Sequence, residues 1–465
     1  MNPNLPKQIR GEEMKKYNML EDSPGKSLLF FALPMILGNL FQQFYNMADS
    51  VIVGQCVGED ALAAVGASYS LTTVFIMIAI GGGIGSSVIT SQYLGAKQYG
   101  RMRTSVYTAL ISFAAVSMVL GVFGFFMCGR ILSALHTPQN ILADAVLYLR
   151  IYFAGLPFLF MYNILSSVFN ALGNSKTPLY LLIFSSILNV CLDFLMVLAF
   201  GMGVAGVAVA TVAAQGLSAV ISFCLLLRTL RGFAGDAEEQ ERVYYSIGML
   251  GSMVKIAVPS MLQQSIVSIG MLLVQSVVNG FGSPVLAGYT SGMRIESICI
   301  VPMIATGNAV STFTAQNLGA GNAERVKRGY RAAYGIVIGF GVLILAALSI
   351  FHGQIISAFV EAGKGAAAFA TGDSYLTFIR FFFVFIGTKA ITDGVLRGAG
   401  DVGMFTLANL VNLGIRVFVS FQFAPAWGVE AVWYAVPMGW IANYIISFFW
   451  YLTGRWSRKR MIQAG

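Results

Sequence analysis

SQYLGAKQYGRM (91–102) returns 224 residues later as AQNLGAGNAERV (315–326), with Gln92, Leu94, Gly95 and Ala96 matching Gln316, Leu318, Gly319 and Ala320. Three further pairs hold nearly the same offset. ALPMILGNLFQQ (32–43) matches AVPSMLQQS (257–265) through Pro34 and Pro259, and SSILNVCLD (185–193) matches ANLVNLGIR (408–416) through Asn189 and Asn412. GVAGVAVAT (203–211) matches GVEAVWYAV (428–436). Apolar helices resemble one another, so a single match would carry little; one offset kept across four segments marks an internal repeat.

What repeats is a set of membrane spans. Apolar residues make up 57% of the 465 and charged residues 11%, against roughly 25% charged in a soluble domain. Apolar runs of about 20 or more residues recur, each long enough to cross about 30 Å of hydrocarbon. Twelve helices are predicted: 27–54, 61–93, 104–129, 140–172, 178–200 and 203–229, then 252–280, 285–318, 329–351, 370–397, 403–424 and 429–453. Six spans per repeat is an even number, so the second half enters the membrane in the same sense as the first. The fold class is an all-α polytopic membrane protein of two parallel six-helix lobes, related by an axis along the membrane normal with a substrate path between them. The segments are 1–26 (N-terminal, cytoplasmic), 27–229 (first lobe), 230–251 (linker, around RTLRGFAGDAEEQER at 228–242), 252–453 (second lobe) and 454–465 (basic tail).

The net charge of +9 does not point to nucleic acid, because the basic residues cluster in short loops on one side. With the N-terminus inside, that side holds Lys97, Arg101, Arg103, Lys176, Arg228, Arg231, Arg242, Lys255, Arg325, Lys327, Arg328, Arg331, Arg397 and the tail Arg455, Arg458, Lys459 and Arg460. The other side holds Arg130 and Lys364. Such asymmetry places both termini in the cytoplasm of a plasma-membrane protein. The polar opening, with Lys7, Arg10, Lys15 and Lys16, is unlike a cleaved signal peptide, whose apolar core comes sooner.

Several motifs carry no chemistry. GAGDVG (398–403) fits a dinucleotide fingerprint but sits in a tight turn between two spans, without the strand the fingerprint needs. GGGIGSS (81–87) lacks the GK[ST] of a phosphate loop, and its small residues suit close packing or local unwinding. No Walker A motif is present to drive a pump. His136 and His352 fall near outer loops, and Cys56, Cys128, Cys191, Cys224 and Cys299 lie singly without metal-ligand spacing. No catalytic cluster is visible, so the chain is not read as an enzyme, and it calls for no cofactor.

Ionisable groups at membrane depth are costly and mark function by default. They are Asp49, Asp193, Glu296 and Asp393 among acids, and Arg150, Arg294, Arg380, Lys389 and Arg416 among bases. Glu296 suits structural pairing, and Asp393 suits a hydrated helix end. Asp49 on the first span, Asp193 on the fifth and Thr211 on the sixth fall at depths agreeing within roughly 5 Å, at 1.5 Å per residue. Tyr45 lies one turn from Asp49 and Asn189 one turn from Asp193. Two carboxylates, an amide, a hydroxyl and a phenol at one level can relay a proton or hold Na⁺ on Asp49, Asn189, Asp193 and Thr211. In the repeat, Arg416 falls where the first half has Asp193, so the mirrored site should not bind a cation. Arg416 is expected to pair with Asp393 or a backbone carbonyl.

The motifs FQQFYNMADSVIVG (41–54), SQYLGAKQYG (91–100), NALGNSKTP (170–178), LNVCLDFLMV (188–197), GVAGVAVATVAAQ (203–215), RIES (294–297), AQNLGAGN (315–322) and LRGAGD (396–401) together resemble the multidrug and toxic compound extrusion (MATE) family over all twelve spans. The resemblance implies a V-shaped, two-lobed exporter of organic cations or other amphiphiles, driven by inward H⁺ or Na⁺ flow. It also implies a first-lobe cation site at Tyr45, Asp49, Asn189, Asp193 and Thr211. A branch of the family uses a Glu on the seventh span and an Asp on the tenth. Here the seventh span has only Gln263, Gln264 and Gln275, and Ile386 stands at the tenth-span position.

The function expected is cation-coupled antiport of a small amphiphile by a monomer in a lipid bilayer. Gln42, Asn163, Gln264, Arg294 and Lys389 are candidates for the substrate cavity. The alternative is a lipid-linked oligosaccharide flippase, which would hold phosphate with Arg294, Arg380, Lys389 and Arg416.

Overall fold

The computed structural model describes residues 18–233, 243–359, 365–459 and 461–462. Lys7, Arg10, Lys15, Lys16, Arg242, Lys364, Arg460 and the linker's residues 234–242 lie outside them. The described residues form helices and turns with no strand. The first half comprises α1 (Pro24–Ile52, ending in a π turn at Val53–Val57), α2 (Glu59–Gly95), α3 (Tyr99–Ala134), α4 (Gln139–Ala154), α5 (Leu156–Ala171), α6 (Lys176–Phe194, with a π turn at Leu195–Ala199) and α7 (Gly203–Arg231). The second comprises α8 (Ile247–Asn279), α9 (Ser283–Gly319), α10 (Ala323–Phe359), α11 (Gly365–Ile379), α12 (Phe383–Gly398), α13 (Val402–Trp427) and α14 (Glu430–Leu452).

Among the described residues, eleven segments are long and apolar enough to cross a membrane, and the bent pair α4–α5 makes a twelfth. The protein is a multi-pass membrane protein. The predicted helix 140–172 is broken: α4 and α5 meet at 54°. Gly155 and Pro157 interrupt the hydrogen-bond ladder there, since proline has no N–H to donate. The second half breaks at the equivalent place without a proline, by a 3₁₀ turn at Arg380–Phe382 between α11 and α12.

The packing pattern repeats with the sequence. α2 rests on α4 and α5 as α9 rests on α11 and α12; α6 pairs with α7 as α13 pairs with α14. The first helix of each half bridges the halves: α1 packs on α6 and also on α9 and α10, while α8 packs on α13 and also on α2 and α3. Equal pairings with equal connectivity make two parallel six-helix lobes.

GGGIGSS does not unwind α2; it lets α2 be packed on three sides. A Cβ on Gly81 would lie 2.6 Å from Met261 of α8, on Gly82 2.0 Å from Phe113 of α3, and on Gly83 2.3 Å from Ser167 of α5. The motif that announced the repeat joins its two copies. A Cβ on Gly95 would fall 1.8 Å from the Gln316 carbonyl oxygen, and one on Gly319 would fall 2.0 Å from that of Gln92. Gln92 Nε2 donates to the Gly398 carbonyl (3.3 Å) and Gln316 Nε2 to the Ala171 carbonyl (2.9 Å), each at the end of a helix in the opposite lobe. Two equivalent Gln-x-x-Gly segments thus clasp the lobes at the end that carries most of the basic loops.

The fingerprint-like GAGDVG is a turn, with Gly400 at φ +76°. Its Asp401 is buried and accepts from Trp450 Nε1 (2.7 Å) and Lys459 Nζ (2.6 Å), which ties down the chain after α14.

Candidate cation site and its mirror image

Far from the clasp, α1, α6 and α7 bring Tyr45, Asp49, Asn189, Asp193 and Thr211 together. Asp193 and Asn189 are buried, one helical turn apart on α6. The carboxyl groups of Asp49 and Asp193 are within hydrogen-bonding reach of each other. Tyr45 Oη stands 2.7 Å from the Asn189 amide. With that amide turned so that its nitrogen faces Asp193, it donates to Asp193 Oδ2 at 3.1 Å and accepts from the Thr211 N–H at 3.1 Å. The Thr211 hydroxyl donates to the Val207 carbonyl (3.0 Å), leaving its lone pairs free toward the site.

Tyr148 of α4 also stands within electrostatic reach of both carboxylates and packs beside the Val53, Val197 and Val207 cluster. Sequence reasoning missed it. Its signal is the pair Tyr148 and Tyr152, four residues apart on one face of an apolar helix, whose rings stack at 6.4 Å.

Oδ1 of Asp49 and Oδ1 of Asp193 are both buried with no hydrogen-bond donor among the described residues. Buried polar atoms are nearly always satisfied, so two orphaned carboxylate oxygens side by side call for a proton or a cation. The oxygen set suits either: a proton shared between the carboxyls, with the Asn189 nitrogen facing Asp193, or Na⁺ held by Asp49, Asp193, Thr211 and the Asn189 side-chain oxygen, with the amide turned the other way.

The second half has built something else at the mirrored place. Asn412 and Arg416 are buried on α13, as Asn189 and Asp193 are on α6. A Cβ on Gly439 of α14 would lie 2.2 Å from Asn412 Oδ1 and 3.1 Å from Arg416 Cγ, so this glycine makes room for the longer side chain. Arg416 does not pair with Asp393. It lies in the field of Glu296 and Tyr375, and Glu296 is buried and accepts from the Tyr375 hydroxyl. Arg294, two residues from Glu296, points to the other side and is exposed. Asp393 is not a hydrated helix end. It is buried and pairs with Lys389 one turn before it (3.1 Å), while Ser447 (2.9 Å) and Asn409 (3.3 Å) complete its shell.

The five cavity candidates each have their own surroundings. Gln42 donates to Asn46 (3.0 Å), Asn163 to its own helix at Leu159 (2.9 Å), and Gln264 to Met77 Sδ at the α2–α8 contact (3.6 Å). Lys389 is taken up by Asp393 and Asn409, and no hydrogen bond among the described residues joins any two of the five. Of the four cations that a flippase would need, Lys389 is paired with Asp393 and Arg416 is buried in the field of Glu296.

The MatE family profile matches residues 34–195 and 259–421, one copy in each half. The chain is 29% identical over 455 residues to the probable multidrug resistance protein YpnP of Bacillus subtilis (strain 168), covering 96% of this chain and 99% of that one. The outward-facing structure of a multidrug resistance MATE family transporter superposes with a TM-score of 0.87 at 22% identity, covering 96% of this chain and 99% of the other. A transporter of the wider MOP superfamily from Pyrococcus furiosus Vc1 (DSM3638), described as having a binding pocket of reversed polarity, also gives 0.87, at 21% identity over 97% of this chain and 100% of that one. With a profile match across both halves and a fold shared over nearly the whole chain, this protein belongs to the multidrug and toxic compound extrusion (MATE) family of membrane transporters.

Proposed function

We propose that the protein exports an amphiphilic small molecule, such as an organic cation, across the plasma membrane in exchange for H⁺ or Na⁺. It acts as a transporter rather than an enzyme, and the basic end faces the cytoplasm. The observation that carries the reading is the Asp49–Asp193 carboxyl pair with its orphaned oxygens. Two carboxylates in contact inside a poorly hydrated lobe do not both keep their charge cheaply, so the pair takes up a proton or Na⁺. Cation uptake cancels charge where α1 meets α6 and α7, and release restores repulsion there. That gives α1 two packings and supplies the differential affinity that alternating access needs. Because α1 also packs on α9 and α10 of the other lobe, its displacement is communicated across the interface. Relatives named as multidrug resistance proteins support the substrate class.

The experiment is export from proteoliposomes under an imposed proton or sodium gradient, with several organic cations. Substrate should move against its own gradient under one of the two ion gradients and stop when it is dissipated. Movement that ignores both gradients would refute coupled antiport.

A further inference from the structure

The geometry points to a binding site for an anionic phospholipid headgroup on the second lobe, at the basic end, between the start of α10 and the end of α14. A cavity of about 560 Å³ opens there, a size that suits one headgroup with its glycerol. α10 contributes Lys327 and Arg331, one turn apart on the same face, and Tyr334 one further turn along. α14 contributes Tyr444 and Phe448, and Trp456 closes the floor.

The cations are available. Arg331 is exposed and makes no ion pair or hydrogen bond with any described residue. Lys327 bonds Glu324 at 2.6 Å, but both side chains are largely exposed (46% and 76%), and such surface pairs exchange readily. Arg455 and Arg458 follow on the 3₁₀ turn beside the cavity, so the field there is positive.

The other wall is apolar and faces outward. Ile445, Phe449 and Leu452 of α14 are 46%, 65% and 59% exposed and recur at helical spacing, which marks the face turned to lipid. Phe448 and Leu452 lead from that face into the cavity. Lys327 and Arg331 stand about 6 and about 12 Å along α10 from its first residue, a headgroup depth once Arg331 reaches upward. A free phosphate would use the cations and ignore the apolar wall; a phospholipid uses both. Basic pockets between helices on the cytoplasmic side, flanked by tyrosine and tryptophan, suit anionic lipids.

The site is wired into the lobe. Tyr444, Tyr334, Tyr330 and Thr392 form a hydroxyl chain with links of 2.8, 2.9 and 2.7 Å. It runs from the cavity to α12 beside Asp393, so a bound headgroup braces α10, α12 and α14 against one another.

The test uses the purified full-length protein, with lipid retention read by native mass spectrometry and thermal stability measured with added phosphatidylglycerol, phosphatidylcholine or inorganic phosphate. Phosphatidylglycerol should be retained and should raise the melting temperature, while the other two should not. Arg331→Gln should bind phosphatidylglycerol about tenfold more weakly, as expected for loss of one charge-assisted contact, and Lys327→Gln combined with it should abolish the rise. Arg228→Gln, on the basic end of the first lobe, should leave the rise intact. Equal retention by the double variant, an equal rise with inorganic phosphate, or loss of the rise in Arg228→Gln would overturn the assignment. Unchanged melting of Arg331→Gln in phosphatidylcholine separates lost binding from lost folding.

Discussion

Asn189 and Asn412 stand at the same point of the two lobes, yet one turn further on the first lobe has Asp193 and the second Arg416. Around Asp193 the partners are another acid, an amide and hydroxyls, and two carboxylate oxygens are left unsatisfied. Arg416 instead lies in the field of Glu296 and Tyr375, which bond each other, and Lys389 is matched to Asp393. One lobe is short of positive charge and the other supplies its own. The repeat kept its backbone contacts, as the reciprocal Gly95 and Gly319 approaches show, while its buried charges diverged. A parallel scaffold does not require parallel chemistry: at the same place the first lobe leaves two carboxylate oxygens unsatisfied and the second buries an arginine.

The comparison predicts its strongest effect at the position where the lobes differ. Asp193→Asn, which mimics the protonated carboxyl, should fold yet lose about tenfold to a hundredfold of gradient-driven export, the span of a coupling free energy of ~1–3 kcal/mol. Arg416→Gln should leave the dependence on the driving ion unchanged in the same liposome assay; equal loss of ion dependence in both would erase the distinction between the lobes. Gly95→Val and Gly319→Val should each cost about 1–3 kcal/mol by overpacking the clasp. Denaturant unfolding in detergent should give similar losses for the two, and a large inequality would show that the clasp is not shared evenly. Tyr45→Phe removes one hydrogen bond to Asn189, worth about 1 kcal/mol, so initial export rates should fall roughly fivefold. Lys389→Ala should change those rates by about twofold or less, since its partner Asp393 keeps Ser447 and Asn409. A collapse of export in that variant would place coupling in the second lobe.

Much of this could be read from the chain. Hydropathy finds spans, and a constant offset finds the repeat, because both are set by composition and order alone. The level shared by Asp49, Asp193 and Thr211 followed from helical rise and loop positions. What escaped needed distances between helices. The 54° bend at Gly155 was hidden because Pro157 suits the first turn of a new helix as well as a kink. Tyr148 looked like any apolar-helix aromatic until α4 was placed beside α2 and α7. Charge alone offers Asp393 as one of two anchors for Arg416, the other being a backbone carbonyl, although Lys389, four residues from Asp393, lies on that residue's own face. The Gln-x-x-Gly motif announced the repeat, but nothing in its spacing said that the two copies touch.

The central claim is that Asp49 and Asp193 act as one ion-binding unit, and a double-mutant cycle measures that directly. Export under the driving ion gradient would be compared for wild type, Asp49→Asn, Asp193→Asn and the double variant, reconstituted in equal amounts. A shared site predicts that each single variant loses most of the coupled rate and that the double variant is no worse than the weaker single one. Losses that simply multiply would mean two independent roles, and a wild-type rate for Asp193→Asn would contradict the account outright.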